Sequence, residues 1–151
     1  LTKSVGNWYN FGRERNRFEM KGLGFPETRE YLGNKHKTLE NDYRDEDGHP
    51  EACLLVAVDV AKIILKEGGK PELAAIRGKK IDSVNTKSIA PALYGGRIAW
   101  GGHMVCVNDN VVYDPMIGTP VPLAEYLDTA FLEPVDYSIR VSREKIEDFV
   151  K

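Results

Sequence analysis

No glutamine occurs anywhere in this chain, and cysteine is confined to two positions, Cys53 and Cys106. Any side-chain amide that helps to hold an anionic intermediate therefore has to be an asparagine. The two cysteines sit in unlike contexts, Cys53 opening a helical pattern and Cys106 inside a strand pattern. They read as free thiols and predict a reducing working compartment. No apolar run approaches the ~20 residues that cross a bilayer, and the polar, arginine-rich start lacks the apolar block of a secretion signal. Membrane insertion is not expected. Nor does either sign of charge dominate: 21 Lys and Arg against 23 Asp and Glu leave a formal net charge of -2. With the charges interleaved, a global pull toward nucleic acid is absent, and a nucleic-acid partner is disfavoured. His36 and His49 lack the paired spacing of a zinc site, and there is no phosphate-binding glycine loop or dinucleotide fingerprint. No metal and no cofactor are implied.

What is present fits one soluble domain: 151 residues, 42% hydrophobic and 29% charged. Residues 1–49 are polar and rich in Gly, Asn and Arg, with aromatic anchors such as Trp8, Phe18 and Phe25, and are expected to wrap a core that residues 50–151 supply. Leu1 in first place, where a Met would begin a natural chain, leads to the expectation that further N-terminal context is missing. The acidic cluster Asp42, Asp45, Glu46 and Asp47 reads as a solvated loop.

Local signals predict the elements. Pro26 starts a short helix through Leu32 that Gly33 is expected to stop. The strongest helix runs from Pro50 to about Glu67, ended by Gly68-Gly69. Between Cys53 and Leu65 its only polar residues are Asp59 and Lys62, which with Lys66 make one narrow stripe, so it is expected to be the buried central helix. A short strand at Leu73 to Ile76 follows. The period then changes to two, and residues 97–107 and 111–114 predict strands around an Asn108-Asp109-Asn110 turn. A helix from Pro122 to Phe131, a strand from Tyr137 to Val141 and a terminal helix from Arg143 to Val150 complete an α+β arrangement, a buried helix on an antiparallel sheet.

Three residues could carry chemistry. With His49 as cap and Pro50 in the first helical position, Cys53 lies in the first turn, where unpaired N–H groups favour negative charge. Such surroundings, with a nearby imidazolium, bring a cysteine from ~8.5 down to roughly 3.5 to 7.5, and the thiolate is the reactive form. Taken alone Cys53 reads first as a small buried hydrophobe. His103 begins the alternation His103, Val105, Val107, which places an imidazole on an apolar face and creates the need for a partner. Asp114 meets that need if the hairpin closes on two residues. With Asn108-Asp109 as the turn it lies directly opposite His103; with Asp109-Asn110 it is a diagonal neighbour on the same face; a three-residue turn sends the two to opposite faces. In this order a thiolate attacks an acyl carbon, the imidazole holds and transfers the proton, and the carboxylate orients it.

The segments Pro50-Glu51-Ala52-Cys53-Leu54-Leu55, Trp100-Gly101-Gly102-His103-Met104-Val105 and Val111-Val112-Tyr113-Asp114-Pro115, followed by Pro122-Leu123-Ala124-Glu125-Tyr126-Leu127, resemble the papain-fold toxin domains at the C-termini of bacterial polymorphic toxins. The resemblance spans roughly residues 47–132. More distantly the chain is similar to transglutaminase-like enzymes and bacteriocin-leader peptidases, which share the order Cys, His, Asp. The resemblance implies a papain-like fold and a cysteine-dependent enzyme acting on an amide, most readily a protein glutamine deamidase or transglutaminase, alternatively a cysteine peptidase on protein or on a peptidoglycan stem peptide. A partner-binding module with a degenerate site is the non-enzymatic alternative. It also implies delivery into a target cell's cytosol, a protein or peptide substrate, and a cognate immunity protein or host factor as partner. Many papain-like enzymes place a Gln or Asn ahead of the nucleophile to bind the oxyanion. Here backbone N–H groups at Ala52 or Cys53 are candidates, with Asn41, His49 or Trp100 as side-chain donors, although turn formation and core packing are the simpler roles of Asn41 and Trp100.

Overall fold

The computed structural model describes residues 23–39, 49–132 and 139–149, with side chains described from Cys53 onward in the second of these spans. Most of the expected N-terminal wrap, including Asn41 and the acidic cluster, lies outside the described residues, as do the first two residues of the strand expected at Tyr137 to Val141.

Helix α1, Pro26–His36, starts as its proline predicts but does not stop at Gly33. A helical glycine costs about 1 kcal/mol relative to alanine, a small penalty against tertiary contacts. Those contacts are present: Leu32 is fully buried, and in the turn after Gly33 His36 Nδ1–H donates to the Pro115 carbonyl at 2.7 Å. The helix start has no side-chain cap of its own. A carboxylate from elsewhere supplies one. Glu67 Oε1 accepts from Thr28 N–H at 3.1 Å and from the buried Thr28 hydroxyl at 2.9 Å, placing negative charge at the positive end of the helix dipole.

Helix α2, His49–Lys66, ends at Gly68, whose φ of +94° suits glycine. Its inner face, Val56, Val60, Ala61 and Ile64, belongs to the core. The expectation of burial around most of its circumference is corrected: Leu55 and Leu65 are exposed along with Asp59, Lys62 and Lys66. The helix therefore covers one face of the sheet, and its outer side is wider than the polar stripe alone suggests.

Five antiparallel strands form the main sheet: β1 (Glu72–Arg77), β3 (His103–Asn108), β4 (Val111–Tyr113), β5 (Val121–Pro122) and β7 (Arg140–Lys145), in the order β5-β4-β3-β1-β7. A two-residue pair, β2 (Ala90–Pro91) with β6 (Phe131–Leu132), forms a separate patch. Helix α3, Leu123–Thr129, bridges β5 and β6. It is shorter than expected at both ends, because Pro122 and Phe131 are taken up by strand pairing.

Asp109 and Asn110 both have positive φ, +53° and +60°, and Asn108 pairs with Val111. That is a two-residue turn of the kind whose twist matches a hairpin. Of the registers open to the sequence it selects the diagonal one. Residues 97–102 are not a strand, a second correction: Trp100 makes only a two-bond bridge to Ile89, and Gly101-Gly102 brings no side chain to a pleated surface. The C-terminal helix expected from Arg143 is likewise absent. Residues 140–145 instead pair with the whole of β1, and only a single 3-10 turn, Ile146–Asp148, follows, anchored by buried Ile146.

Candidate active site

Sheet order, helix placement and hairpin register converge on one corner of the molecule. His103 is the first residue of β3, opposite Ile76 near the end of β1. Asp114 follows β4 directly, where Pro115 ends the strand, and its own carbonyl accepts from Ile117 and Gly118 N–H to close a tight turn. Cys53 is in the N-terminal part of α2, which packs over β3. All three side chains are buried, at 3%, 3% and 1% exposure for Cys53, His103 and Asp114.

His103 Nε2 lies 3.0 Å from Asp114 Oδ2, and the imidazole is also hydrogen-bonded to the Cys53 thiol. With Nε2 committed to the carboxylate, Nδ1 is the nitrogen left for sulfur. Burial by itself pushes the imidazole pKa down. The Asp114 charge and hydrogen bond, joined by those of Cys53, outweigh burial and raise it from 6.5 to about 10. At neutral pH the ring is an imidazolium held between Asp114 and Cys53.

The carboxylate is held as firmly as the ring. Its Oδ2 also accepts from the Tyr126 hydroxyl at 2.7 Å, and its Oδ1 accepts from Met116 N–H at 2.9 Å. Trp100 stacks on the imidazole with centroids 4.7 Å apart and planes at 26°, and Phe131 meets it edge-on at 6.1 Å. These contacts leave the ring little freedom to leave the Cys53–Asp114 line.

A cavity of about 360 Å³ is lined by Cys53, Arg77, Gly101, Gly102, His103 and Met104, with Asp114 not among its walls. Trp100 is not among its walls, so the described role of its indole is to pack on His103. His49 and Ala52 lie in α2, but their side chains are outside the description, and Asn41 lies outside altogether. The two backbone candidates for an oxyanion donor, Ala52 and Cys53, both lie at the N-terminal end of α2.

Sequence reasoning missed Tyr126, Met116 N–H and Arg77. Tyr126 had a usable signal, since a tyrosine on the core side of a helix needs a partner for its hydroxyl. Arg77, at a strand end, carried none. Cys106, on the opposite face of β3 from His103, has its thiol pushed up by burial alone, which makes it a packing residue. Among the described residues no three His, Cys, Asp or Glu side chains are grouped to hold a metal ion, and no helix is long and apolar enough to cross a membrane.

Comparison with protein-family models, with curated proteins and with solved structures gave no match.

Proposed function

We propose that this chain is a cysteine-dependent enzyme of papain-like fold that acts on amides, most specifically a glutamine deamidase or transglutaminase-like enzyme delivered into a target cell. One observation carries the reading: a thiol, an imidazolium and a carboxylate from three separate elements meet in a buried line that opens, at the sulfur end, on a cavity. A structural histidine has no need of that combination, with its second nitrogen on a cysteine and its first on a carboxylate carrying two further donors.

In the proposed reaction the Cys53 thiolate attacks the carbonyl carbon of a primary amide, and the electron pair moves to oxygen. Collapse of the tetrahedral intermediate breaks the C–N bond as His103 Nδ1 gives its proton to the nitrogen, releasing ammonia and leaving a thioester. Water then attacks the thioester with His103 taking its proton, which yields a carboxylate and the free thiol. An amine in place of water yields an isopeptide bond. Asp114 keeps the imidazole in position and favours its charged form. A cognate immunity protein that covers the cavity is the partner this reading calls for.

The test begins with the thiol. Iodoacetamide alkylation of Cys53 at about pH 6 is expected to slow at least tenfold in His103→Ala, on the order of what removal of one catalytic proton-holding group costs; equal rates in the two proteins would leave Cys53 a packing residue and favour a binding module. Incubation with target-cell extract then separates the reactions: a gain of about one dalton on an intact protein is deamidation, whereas new chain ends mark a peptidase and digestion of muropeptides a cell-wall amidase.

A further inference from the structure

Arg77 closes β1 and is exposed, yet it forms part of the wall of the cavity over Cys53. Directly across the sheet its partner is Arg140 of β7. Like charges facing each other on adjacent strands are destabilising, and among the described residues neither guanidinium has a hydrogen bond or ion pair. Arg77 and Arg140 also border a second, smaller cavity of about 130 Å³ with Ala75, Val141 and Ser142, which shares Arg77 with the first. The Arg77 guanidinium lies against Gly102, where a Cβ would come to 3.0 Å from Nη1. Among the described residues, positive charge without a counter-ion thus forms part of the wall of the cavity that Cys53 also lines, in a chain whose overall charge is slightly negative.

We propose that Arg77, reinforced by Arg140, is the specificity element of the site and receives a carboxylate of the substrate next to the amide that Cys53 attacks. Guanidinium presents a planar fork that matches a carboxylate with two parallel N–H···O bonds. The substrate class is therefore an acidic protein segment. The carboxylate comes either from an Asp or Glu side chain flanking the target glutamine or from a chain terminus. The inference rests on the reading of Cys53 as a reactive thiolate, and the experiment separates the two.

Iodoacetate and iodoacetamide alkylate the same sulfur by the same displacement of iodide, but only iodoacetate carries a carboxylate. Their rate ratio at Cys53 cancels any change in thiolate content and reports the field met by an anion in the cavity. Arg77→Ala is expected to lower the iodoacetate-to-iodoacetamide ratio by about 3- to 10-fold and Arg77→Glu further, as one unit charge several Å away in a partly solvated site predicts. Arg77→Lys should retain most of the ratio. Lys145→Ala, five residues and roughly 17 Å along β7 from Arg140, should leave it unchanged, being beyond the screening length. Arg77 is exposed and faces a like charge, so these variants should not lower the parent's unfolding midpoint. A ratio that is the same in parent and Arg77→Glu overturns the inference while leaving the thiolate reading intact; loss of fast iodoacetamide alkylation in the parent would instead strike the reading of Cys53. The source of the carboxylate follows from protection of Cys53 against iodoacetamide. N-acetylglutamic acid α-amide protecting better assigns an acidic side chain, N-acetylglycine protecting better assigns a chain terminus, and protection by neither overturns the assignment.

Discussion

Replacing Asp114 by Asn keeps the shape of the site and removes the charge that holds His103 protonated, which makes the pH dependence of stability a direct reading of the pair. In the parent the imidazole pKa is raised from 6.5 in the unfolded chain to about 10 in the fold. The folded state therefore binds more protons than the unfolded state between those values, and stability falls as pH rises through them. The contribution is fully present below the unfolded value and is lost above the folded one. For one proton the slope is at most about 1.4 kcal/mol per pH unit, and integrating between about pH 6 and about pH 9 gives a loss of at most about 3 kcal/mol. Asp114→Asn should lack this loss. It should also be less stable than the parent by about 3–5 kcal/mol at the acid end of that range, the scale for breaking a buried charge pair from one side, with the gap narrowing as pH rises. Urea unfolding of both proteins across that range measures the gap. A gap that stays constant, or widens, with increasing pH would refute the placement of a charged His103 against Asp114.

Three further outcomes follow from other contacts. Tyr126→Phe removes the hydroxyl that donates to Asp114 Oδ2 at 2.7 Å, a buried hydrogen bond to a charged group, and should cost about 1.5–3 kcal/mol in chemical denaturation; a loss no larger than that of a surface substitution would contradict the contact. Cys106 is fully buried and its thiol is pushed up by burial, so mass spectrometry should find only Cys53 alkylated in the native protein and both cysteines after denaturation. Glu67→Ala uncaps α1 and leaves the buried Thr28 hydroxyl without its acceptor; a loss of about 1–2 kcal/mol is expected, read from the urea midpoint at constant slope.

What could be read from the sequence was whatever a few neighbouring residues decide among themselves. Pro50 and Gly68-Gly69 bracket α2 because proline suits a helix start and glycine the left-handed exit. The polar pair Asp109-Asn110 tolerates the positive φ that a two-residue hairpin needs, and once that turn is chosen the period of two puts Asp114 on the face of His103. An α+β domain and the convergence of His103 with Asp114 were legible for this reason. Where local pattern erred, distant contacts had overruled it. Gly33 is a sound stop signal until His36 finds Pro115, and residues 143–145 have a helical composition until β1 offers a full strand of hydrogen bonds.

The rest was decided by the order of strands in the sheet. Because β1 lies between β3 and β7, the end that carries Arg77 is brought beside Cys53 on one side and Arg140 on the other. No spacing in the sequence encodes a meeting of residues so far apart in the chain. The same holds for Tyr126 on Asp114 and Glu67 on α1, each a hydrogen bond between elements whose relative position only the packed core determines. The sequence by itself determined that a thiol, an imidazole and a carboxylate were present and on which elements. The tertiary structure decided their distances, their charge states and the cationic wall beside them, because burial and electrostatics depend on neighbours in space and not along the chain.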